Sequence, residues 1–233
     1  MEYWTYSQIK QKLHYDLALE QEIFVRPDEL LGYVNAGIDE AEAEIHTIYE
    51  DYFLSMTEIS LVAGTDLYEL PSDIYANKIR GVIYKRSSTD YYPIKRIKEM
   101  HKFLNFEESQ FTNVTSDYYR YMILNSSAAA GPRLYLSPTP SEDLTNAIRI
   151  WYIRNANKLA ADTDVCDIPE FVDFVLQYAK VRVYEKERDT ASIQLASAVL
   201  ERKRQLMKDT LTQMVPDSDN EVEQDRTFYE DMV

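Results

Sequence analysis

The feature that most constrains the fold is one long apolar stripe near the start of the sequence. Its members alternate spacings of three and four residues, which is the period of one face of an α-helix. They are Leu31, Val34, Ile38, Ala41, Ile45, Ile48 and Tyr52. Pro27 and Asp28 precede the stripe and suit a first helical turn. The pattern predicts a helix over residues 27–54, about 40 Å long, whose apolar face must pack against another element.

Three further helices are expected on either side of a different central region. Ser7 can cap a helix over residues 8–21. Towards the C-terminus, Pro169 opens a third helix, and Asp189 or Thr190 can start a fourth. The apolar face expected for the fourth helix consists of Ile193, Leu200, Met207, Leu211 and Met214. Neither pair of helices can bury its stripe alone, so the two pairs are predicted to pack together as a bundle.

Between the helix pairs, residues 57–156 change to alternating runs rich in isoleucine, valine and tyrosine, which is typical of strands. T-E-I-S-L-V-A, the turn G-T-D and L-Y-E-L-P together predict a hairpin. Further strand candidates are K-I-R-G-V-I-Y-K-R, D-Y-Y-P-I-K-R-I, Y-Y-R-Y-M-I-L-N, G-P-R-L-Y-L-S-P and N-A-I-R-I-W-Y-I-R-N-A. A short helix over about residues 97–105 interrupts them.

The sequence therefore predicts an α+β fold. We expect a bundle of about four helices, two N-terminal and two C-terminal, with a β-rich insertion between them and an extended C-terminal tail. The expected domain bounds are 1–55 and 162–214 for the discontinuous bundle, 56–161 for the insertion and 215–233 for the tail. The tail is acidic and poor in aliphatic residues, so we expect it to be flexible until it docks on a partner.

Charge is strongly negative and unevenly spread. The formal net charge is −15, which argues against a general nucleic-acid binder, because such proteins bind by neutralising phosphates. Residues 28–51 carry eight acids and no lysine or arginine, residues 78–102 carry eight bases against two acids, and residues 215–233 carry seven acids against one base. Two interpretations stay open: these are solvated faces, or acidic and basic segments meet head-to-tail across subunits of a ring.

The second interpretation names specific residues. The acids on the long helix would pair with bases in the first strand-like runs of a neighbouring subunit. The acids are Asp39, Glu40, Glu42 and Glu44, and the bases are Arg80, Lys85 and Arg86. Reversing the charge of the three bases is then expected to block ring formation.

No motif for catalysis or cofactor binding is present. The sequence lacks the glycine-rich phosphate-binding patterns G-x-x-x-x-G-K-[ST] and G-x-G-x-x-G. It also lacks G-x-S-x-G and H-E-x-x-H. Cys166 is the one cysteine, which excludes a site built from several cysteines. The sequence thus assigns no catalytic, cofactor-binding or metal-binding residue, and no cofactor is expected.

Three weaker constellations are open to a chemical interpretation. His46 has Glu42 and Glu50 one helical turn to either side, a spacing that can hold a metal, although an exposed helix face explains it more simply. The loop D-T-D-V-C-D at residues 162–167 faintly resembles a calcium loop but lacks the central glycine and distal glutamate. A third group consists of the carboxylates Glu107, Glu108 and Asp117, whose separation the sequence does not fix.

Five short motifs, in their order along the chain, resemble those of a known protein family. The long helix opens R-P-D-E-L-L-G-Y-V-N-A, and residues 64–73 read G-T-D-L-Y-E-L-P-S-D. R-L-Y-L-S-P-T-P at 133–140, I-R-I-W-Y-I-R at 148–154 and D-I-P-E-F at 167–171 follow. In this order and spacing, the chain up to about Met214 resembles tailed-bacteriophage head-to-tail adaptor proteins. These are the connector or neck proteins, including the tail tubular protein A type.

This resemblance implies a virion structural protein without enzyme activity. Such adaptors form a ring, commonly of twelve copies, between the portal and the tail. Double-stranded DNA passes through the ring during ejection without specific binding, and a downstream tail or nozzle protein docks below. The implied partners are therefore other copies of the chain, the portal protein and the tail protein, with no membrane. The implied location is the neck of the virion, after assembly in the host cytoplasm.

The resemblance also suggests a role for the last residues. In relatives the C-terminal segment reaches the portal, which makes Phe228, Tyr229 and Met232 the candidate anchors here. Alternatives to the adaptor are another neck component such as a stopper or tail-completion protein, a virion cell-wall hydrolase using Glu107 and Glu108, and a cellular interaction module with no viral role.

Overall fold

A computed structural model describes residues 3–18, 24–87, 89–102, 119–126 and 131–215. The chain divides into two compact units. The helical unit is drawn from Met1–Tyr49 and Asn157–Val233, and the β unit from Glu50–Ala156.

The helical unit contains four α-helices among the described residues. They are α1 (Tyr6–Asp16), α2 (Pro27–Ile48), α3 (Val172–Glu187) and α4 (Thr190–Met214). A 3₁₀ turn, Pro169–Phe171, leads into α3, and Asp189 caps α4 through its side chain. The central helix is α3, because α1, α2 and α4 all pack against it.

Helix starts follow local capping chemistry. The predicted cap Ser7 is wrong, because α1 starts two residues earlier in a capping box formed by Thr5 and Gln8. Thr5 Oγ1 accepts from the backbone N–H of Gln8 at 3.4 Å, and Gln8 Oε1 accepts from the N–H of Thr5 at 2.8 Å. At α2 one half of this exchange is present, because Glu29 Oε2 accepts from the N–H of Arg26 at 3.0 Å while the arginine side chain can only donate.

The apolar stripe of α2 is confirmed at its centre, where Val34, Ile38, Ala41 and Ile45 are all fully buried. The predicted end of the helix is wrong. The α-helix stops at Ile48, and the chain continues through a 3₁₀ turn at Glu50–Phe53 into the first strand. The apolar spacing runs on to Tyr52, and that is why the sequence overestimates the length.

The β unit contains two four-stranded sheets. The first has the order β1-β8-β3-β4, with β1 (Leu54–Leu61), β3 (Ile74–Lys85), β4 (Tyr91–Pro93) and β8 (Leu144–Arg154). The second has the order β2-β7-β6-β5, with β2 (Leu67–Glu69), β5 (Lys95–Arg96), β6 (Arg120–Ser126) and β7 (Gly131–Ser137). All neighbouring pairs are antiparallel except β5 and β6.

Both sheets contribute to one core. From the first sheet, Val82, Ile148 and Ile150 are buried in it, and from the second, Leu134 and Leu136. Burying one face of each sheet against the other is how two amphipathic sheets exclude water from their apolar residues. The β unit therefore has a core of its own.

The predicted architecture, a bundle of about four helices carrying a β-rich insertion, is wrong. The structure is an α+β fold in which two four-stranded sheets enclose a core of their own. The β region is therefore a substantial unit and not a small insertion in a helical bundle. The alternation of the strands was visible in the sequence. Alternation does not show that the strands form two sheets which bury their apolar faces against each other.

The predicted hairpin of β1 with β2 is also wrong. β1 pairs with β8 and β2 pairs with β7, so the turn after Leu61 carries the chain from one sheet to the other. Tyr68 closes this connection, because its hydroxyl donates to the carbonyl of Thr65 at 2.8 Å and accepts from the N–H of Val62 at 3.2 Å. Of the predicted helix over 97–105, residues 100–102 are helical, residues 97–99 are not, and residues 103–105 lie outside the described residues.

Candidate interaction surfaces

The outer face of the first sheet is set by alternation along its central strand. On β8, Ile148, Ile150 and Tyr152 are buried in the core. Successive side chains of a strand point to opposite faces, so Arg149 and Trp151 lie on the outer face. The sheet register places Met56 of β1 beside Trp151, and Glu58 of β1 beside Arg149.

Arg149 organises this outer face. Its Nη2 donates to Oε1 of Glu58 at 2.8 Å and its Nε to the same oxygen at 3.0 Å. The guanidinium also lies 5.6 Å from the ring centroid of Trp151 and 5.9 Å from that of Tyr91, within cation–π range. The hydrogen bond from Arg149 is the main cause that lowers the pKa of the Glu58 carboxyl, which therefore stays ionised. The ion pair makes the centre of the face neutral.

Large apolar side chains surround this pair and stay accessible. The exposed fractions are 48% for Leu54, 48% for Met56 and 45% for Tyr91. We refer to Leu54, Met56, Tyr91, Arg149 and Trp151 as the aromatic sheet face. Tryptophan, tyrosine, arginine and methionine are enriched where proteins contact one another, so this face has the composition of a protein interface.

A second accessible surface lies on α4. Its buried side holds Met207 and Leu211, as the sequence predicts, while Leu195 and Leu206 point outward and are 72% and 56% exposed. Beside them is a groove of about 380 Å³ between α3 and α4. We refer to it as the final-helix groove, and its apolar lining comprises Phe171, Phe174, Val199, Leu206 and Met207. Apolar patches of this kind are common binding surfaces.

A comparison with protein families decides what kind of protein carries these surfaces. The family model described as SU10 adaptor protein matches residues 4–227, nearly the whole chain. The chain belongs to the SU10 adaptor protein family. It is therefore a structural adaptor of bacteriophages and a component of the virion, and adaptors of this kind act by contacting other phage structural proteins. Among curated proteins, none matches the chain significantly.

The predicted acidic residues of this SU10 adaptor all have basic partners within the chain. The pairs are Asp39 with Lys158, Glu40 with Arg204 at 2.8 Å, Glu42 with Lys158 at 4.0 Å, and Glu44 with Lys208 at 3.2 Å. The other acids of residues 28–51 are paired too: Asp28 with Arg26, Glu29 with Lys186, Glu50 with Lys78, and Asp51 with Arg80. Every acid of residues 28–51 thus contacts a base of its own chain, although Lys158 and Arg204 each contact two of these acids.

The three predicted bases lie on or beside β3. Arg80 Nε donates to Asp51 Oδ1 at 2.6 Å, and the guanidinium also contacts Glu50. Lys85 is half-buried at the end of β3 and is close enough to Glu58 to help lower the pKa of that carboxyl. Arg86 follows the strand and is exposed.

The residues that the sequence offers as metal ligands contact different partners in the structure. His46 Nε2 lies 3.4 Å from Glu42 Oε1 in the interior of the helical unit, whereas Glu50 pairs with bases of the β unit. In the loop at residues 162–167, the Asp164 carboxylate accepts hydrogen bonds from the backbone N–H groups of residues 160 and 161. These bonds lower the pKa of the carboxyl and hold a turn. Among residues 3–18, 24–87, 89–102, 119–126 and 131–215, no three metal-ligating side chains cluster.

Several other predicted residues lie outside the described residues. These are the carboxylates Glu107, Glu108 and Asp117 and the tail residues Phe228, Tyr229 and Met232. Within the part of the chain that the structure describes, no helix has the length and apolar character needed to span a membrane.

Sequence reasoning missed the aromatic sheet face. A signal for it was present in I-R-I-W-Y-I-R, where Arg149 and Trp151 alternate with isoleucines that belong to the core. What the sequence could not supply is the register that sets Glu58 and Met56 beside them, because β1 and β8 are far apart along the chain.

Proposed function

We propose that this SU10 adaptor forms a ring, of twelve copies, between the portal and the tail of a tailed phage. The observation that supports this role is the family match over residues 4–227. The order of motifs in the sequence further suggests the tail tubular protein A type. In this proposal the ring sits in the virion neck, is assembled in the host cytoplasm, and gives the downstream tail protein a platform for docking.

The charge of the two units suits DNA passage through such a ring. Residues 50–156 carry 13 acidic and 12 basic residues, whereas the rest of the chain carries 27 acidic and 13 basic ones. The excess of negative charge therefore belongs to the helical unit. A channel lined by that unit would repel phosphates and let a duplex slide without binding, since a charged surface excludes ions of its own sign.

Docking is proposed for two parts of the chain. The aromatic sheet face is neutral and rich in interface-type side chains, which suits contact with another structural protein of the virion. Phe228, Tyr229 and Met232 stay the predicted portal anchors, in a segment that orders on binding.

The predicted pairing of Asp39, Glu40, Glu42 and Glu44 with Arg80, Lys85 and Arg86 of a neighbour also stays a prediction. The intrachain pairs set a condition on it. The side chains of Asp39 and Glu40 are 61% and 40% exposed, so a neighbour's base would share these carboxylates with Lys158 and Arg204.

The test is the mass of the purified full chain, alone and mixed with the portal protein of the same phage. We expect a low-mass species alone and a large ring with the portal, measured by native mass spectrometry.

A matched pair of variants, Trp151→Ala on the aromatic sheet face and Leu195→Ala on α4, then shows which surface a tail protein needs. Absence of any association with the portal would refute the adaptor position. Binding to tail proteins alone would instead identify another neck component.

A further inference from the structure

Some exposed charges belong to none of the ion pairs that the described residues form. On the basic side, Lys95, Arg96 and Lys98 are all exposed, and none of the ion pairs among the described residues includes them. We refer to these three residues as the basic edge. The acids of α2 are less suited as their complement, because each of those acids already contacts a base in its own chain.

The fold holds the basic edge in a fixed backbone. The chain passes from the first sheet to the second at Ile94, which is buried and whose N–H donates to the carbonyl of Val82 at 2.8 Å. Directly afterwards Lys95 and Arg96 form β5, the outermost strand of the second sheet. The N–H of Ile97 then donates to the carbonyl of Tyr121 at 2.9 Å. These contacts order the backbone on both sides of the exposed cations.

The complementary charge is in the C-terminal segment. Between residues 217 and 225, acids occupy every second position and no base intervenes. They are Asp217, Asp219, Glu221, Glu223 and Asp225, which we refer to as the acidic run. A period of two is the period of a strand, so an extended chain presents all five carboxylates on one side, roughly 6.5–7 Å apart.

We propose that the acidic run of one copy lies extended along the basic edge of a neighbouring copy. This inference rests on the proposed ring and names the segment that joins its subunits. It leaves Phe228, Tyr229 and Met232, which follow the run, available for the portal. The contact orders a segment on binding and depends on exposed charges, so it is reversible and salt-sensitive.

Two other ligands of the basic edge are less suited to it. The phosphates of duplex DNA could also contact these cations. However, three exposed cations on a chain of net charge −15 give only a weak electrostatic attraction to DNA. The final-helix groove is a rival site for the tail, yet Asp173 there already pairs with Lys203 at 3.2 Å. Both alternatives are outcomes of the test.

The first experiment is zero-length carbodiimide cross-linking of the full chain, assembled with its portal from equal parts of ¹⁴N- and ¹⁵N-labelled protein. Carbodiimide joins a carboxylate directly to a lysine that touches it. We expect cross-links from residues 217–225 to Lys95 and Lys98 in peptide pairs of mixed isotope. Pairs of a single isotope, or links to Lys203 and Lys208 instead, would overturn the proposal. The ring mass, measured first on the same sample, separates this outcome from failure of the adaptor itself.

The second experiment reverses charge. Lys95→Glu with Lys98→Glu is expected to weaken ring assembly about tenfold or more, because like charges then face each other. Arg188→Glu is the control, since Arg188 is an exposed cation of the helical unit that does not line the final-helix groove, and it is expected to assemble normally. Adding Asp219→Lys and Glu221→Lys to the first variant should restore assembly. The tail contact would be refuted if the Lys95→Glu, Lys98→Glu variant formed rings as well as the wild type. It would also be refuted if the main defect of that variant were weaker binding of double-stranded DNA.

Discussion

Two glycines five residues apart on α2 have very different surroundings. A Cβ added at Gly32 meets nothing within 4 Å, whereas one at Gly37 would lie 3.2 Å from the carbonyl oxygen of Val175 and 3.3 Å from Cβ of Tyr178. Gly37 therefore marks a close approach of α2 to α3. Helix propensity alone favours alanine at both positions, so any difference between them reports the packing.

We expect Gly32→Ala to raise the free energy of unfolding by up to about 1 kcal/mol, the propensity difference. Gly37→Ala should lack this gain, and Gly37→Leu should lower the free energy of unfolding by roughly 1–3 kcal/mol, because it overpacks the α2–α3 contact. Urea denaturation followed by circular dichroism at 222 nm measures all three. Equal stability of Gly32→Ala and Gly37→Leu would contradict the close approach.

At the residue scale the sequence predicted charges but not their partners. The acids on α2 were evident, yet Asp39 pairs with a lysine 119 positions away and Glu40 with an arginine 164 positions away. Nothing local distinguishes these bases from other exposed ones. Pairing across such separations depends on how the helices pack, and a single sequence does not contain that information.

The start of α4 provides a pH-dependent test at the scale of one element. Asp189 Oδ1 accepts from the N–H groups of Ala191 at 3.2 Å and Ser192 at 3.3 Å. Hydrogen bonds from Ser192 hold the pKa of this carboxyl below its ordinary value of 3.8. Because the folded pKa is lower than the unfolded one, the cap stabilises fully above about pH 4. Its contribution is lost as the pH falls through the lowered folded value.

Asp189→Ala is accordingly expected to destabilise the chain near neutral pH and to matter less below pH 4. Asp189→Asn is the matched control, since asparagine caps helices without ionising, and its advantage over alanine should not change with pH. Thermal melts of the three proteins at pH 7 and pH 3 provide the comparison. A difference between wild type and Asp189→Ala that is constant with pH would rule out the ionised cap.

Strand positions were predictable, and strand partners were not. Alternation located the segments that become β3, β7 and β8, because each has one buried face. The short turn after Leu61 suggested a local hairpin, but β1 pairs with the last strand of the unit. Local turn chemistry is compatible with both outcomes. The shared core of the two sheets decides between them, and that core is a non-local property.

At the scale of the molecule, the β unit begins and ends in adjacent strands. Leu54, near its start, is paired with Ile153, near its end, so these two residues are about 5 Å apart. The unit also has its own core. We therefore expect residues 50–156 to fold when expressed alone, with a strand-type circular dichroism spectrum and a cooperative thermal transition.

The complementary fragment tests the same idea from the other side. Replacing residues 50–156 with a glycine-serine linker should leave a helical protein, because the strands nearest the two junctions are neighbours in one sheet. The spectra of the two fragments should then sum to that of the full chain. An unfolded 50–156 fragment would show that its core depends on the helical unit.

The adjacency of β1 and β8 also has an evolutionary consequence. Both covalent junctions of the β unit leave from one pair of strands, so a recombination event needs to conserve only that narrow gap. Everything between residues 50 and 156 could then be exchanged for a longer, shorter or unrelated cassette whose first and last strands are also neighbours. Among related phages, genes for such adaptors would diversify fastest inside this cassette, and host-specific neck partners could change by exchange of a single genomic segment.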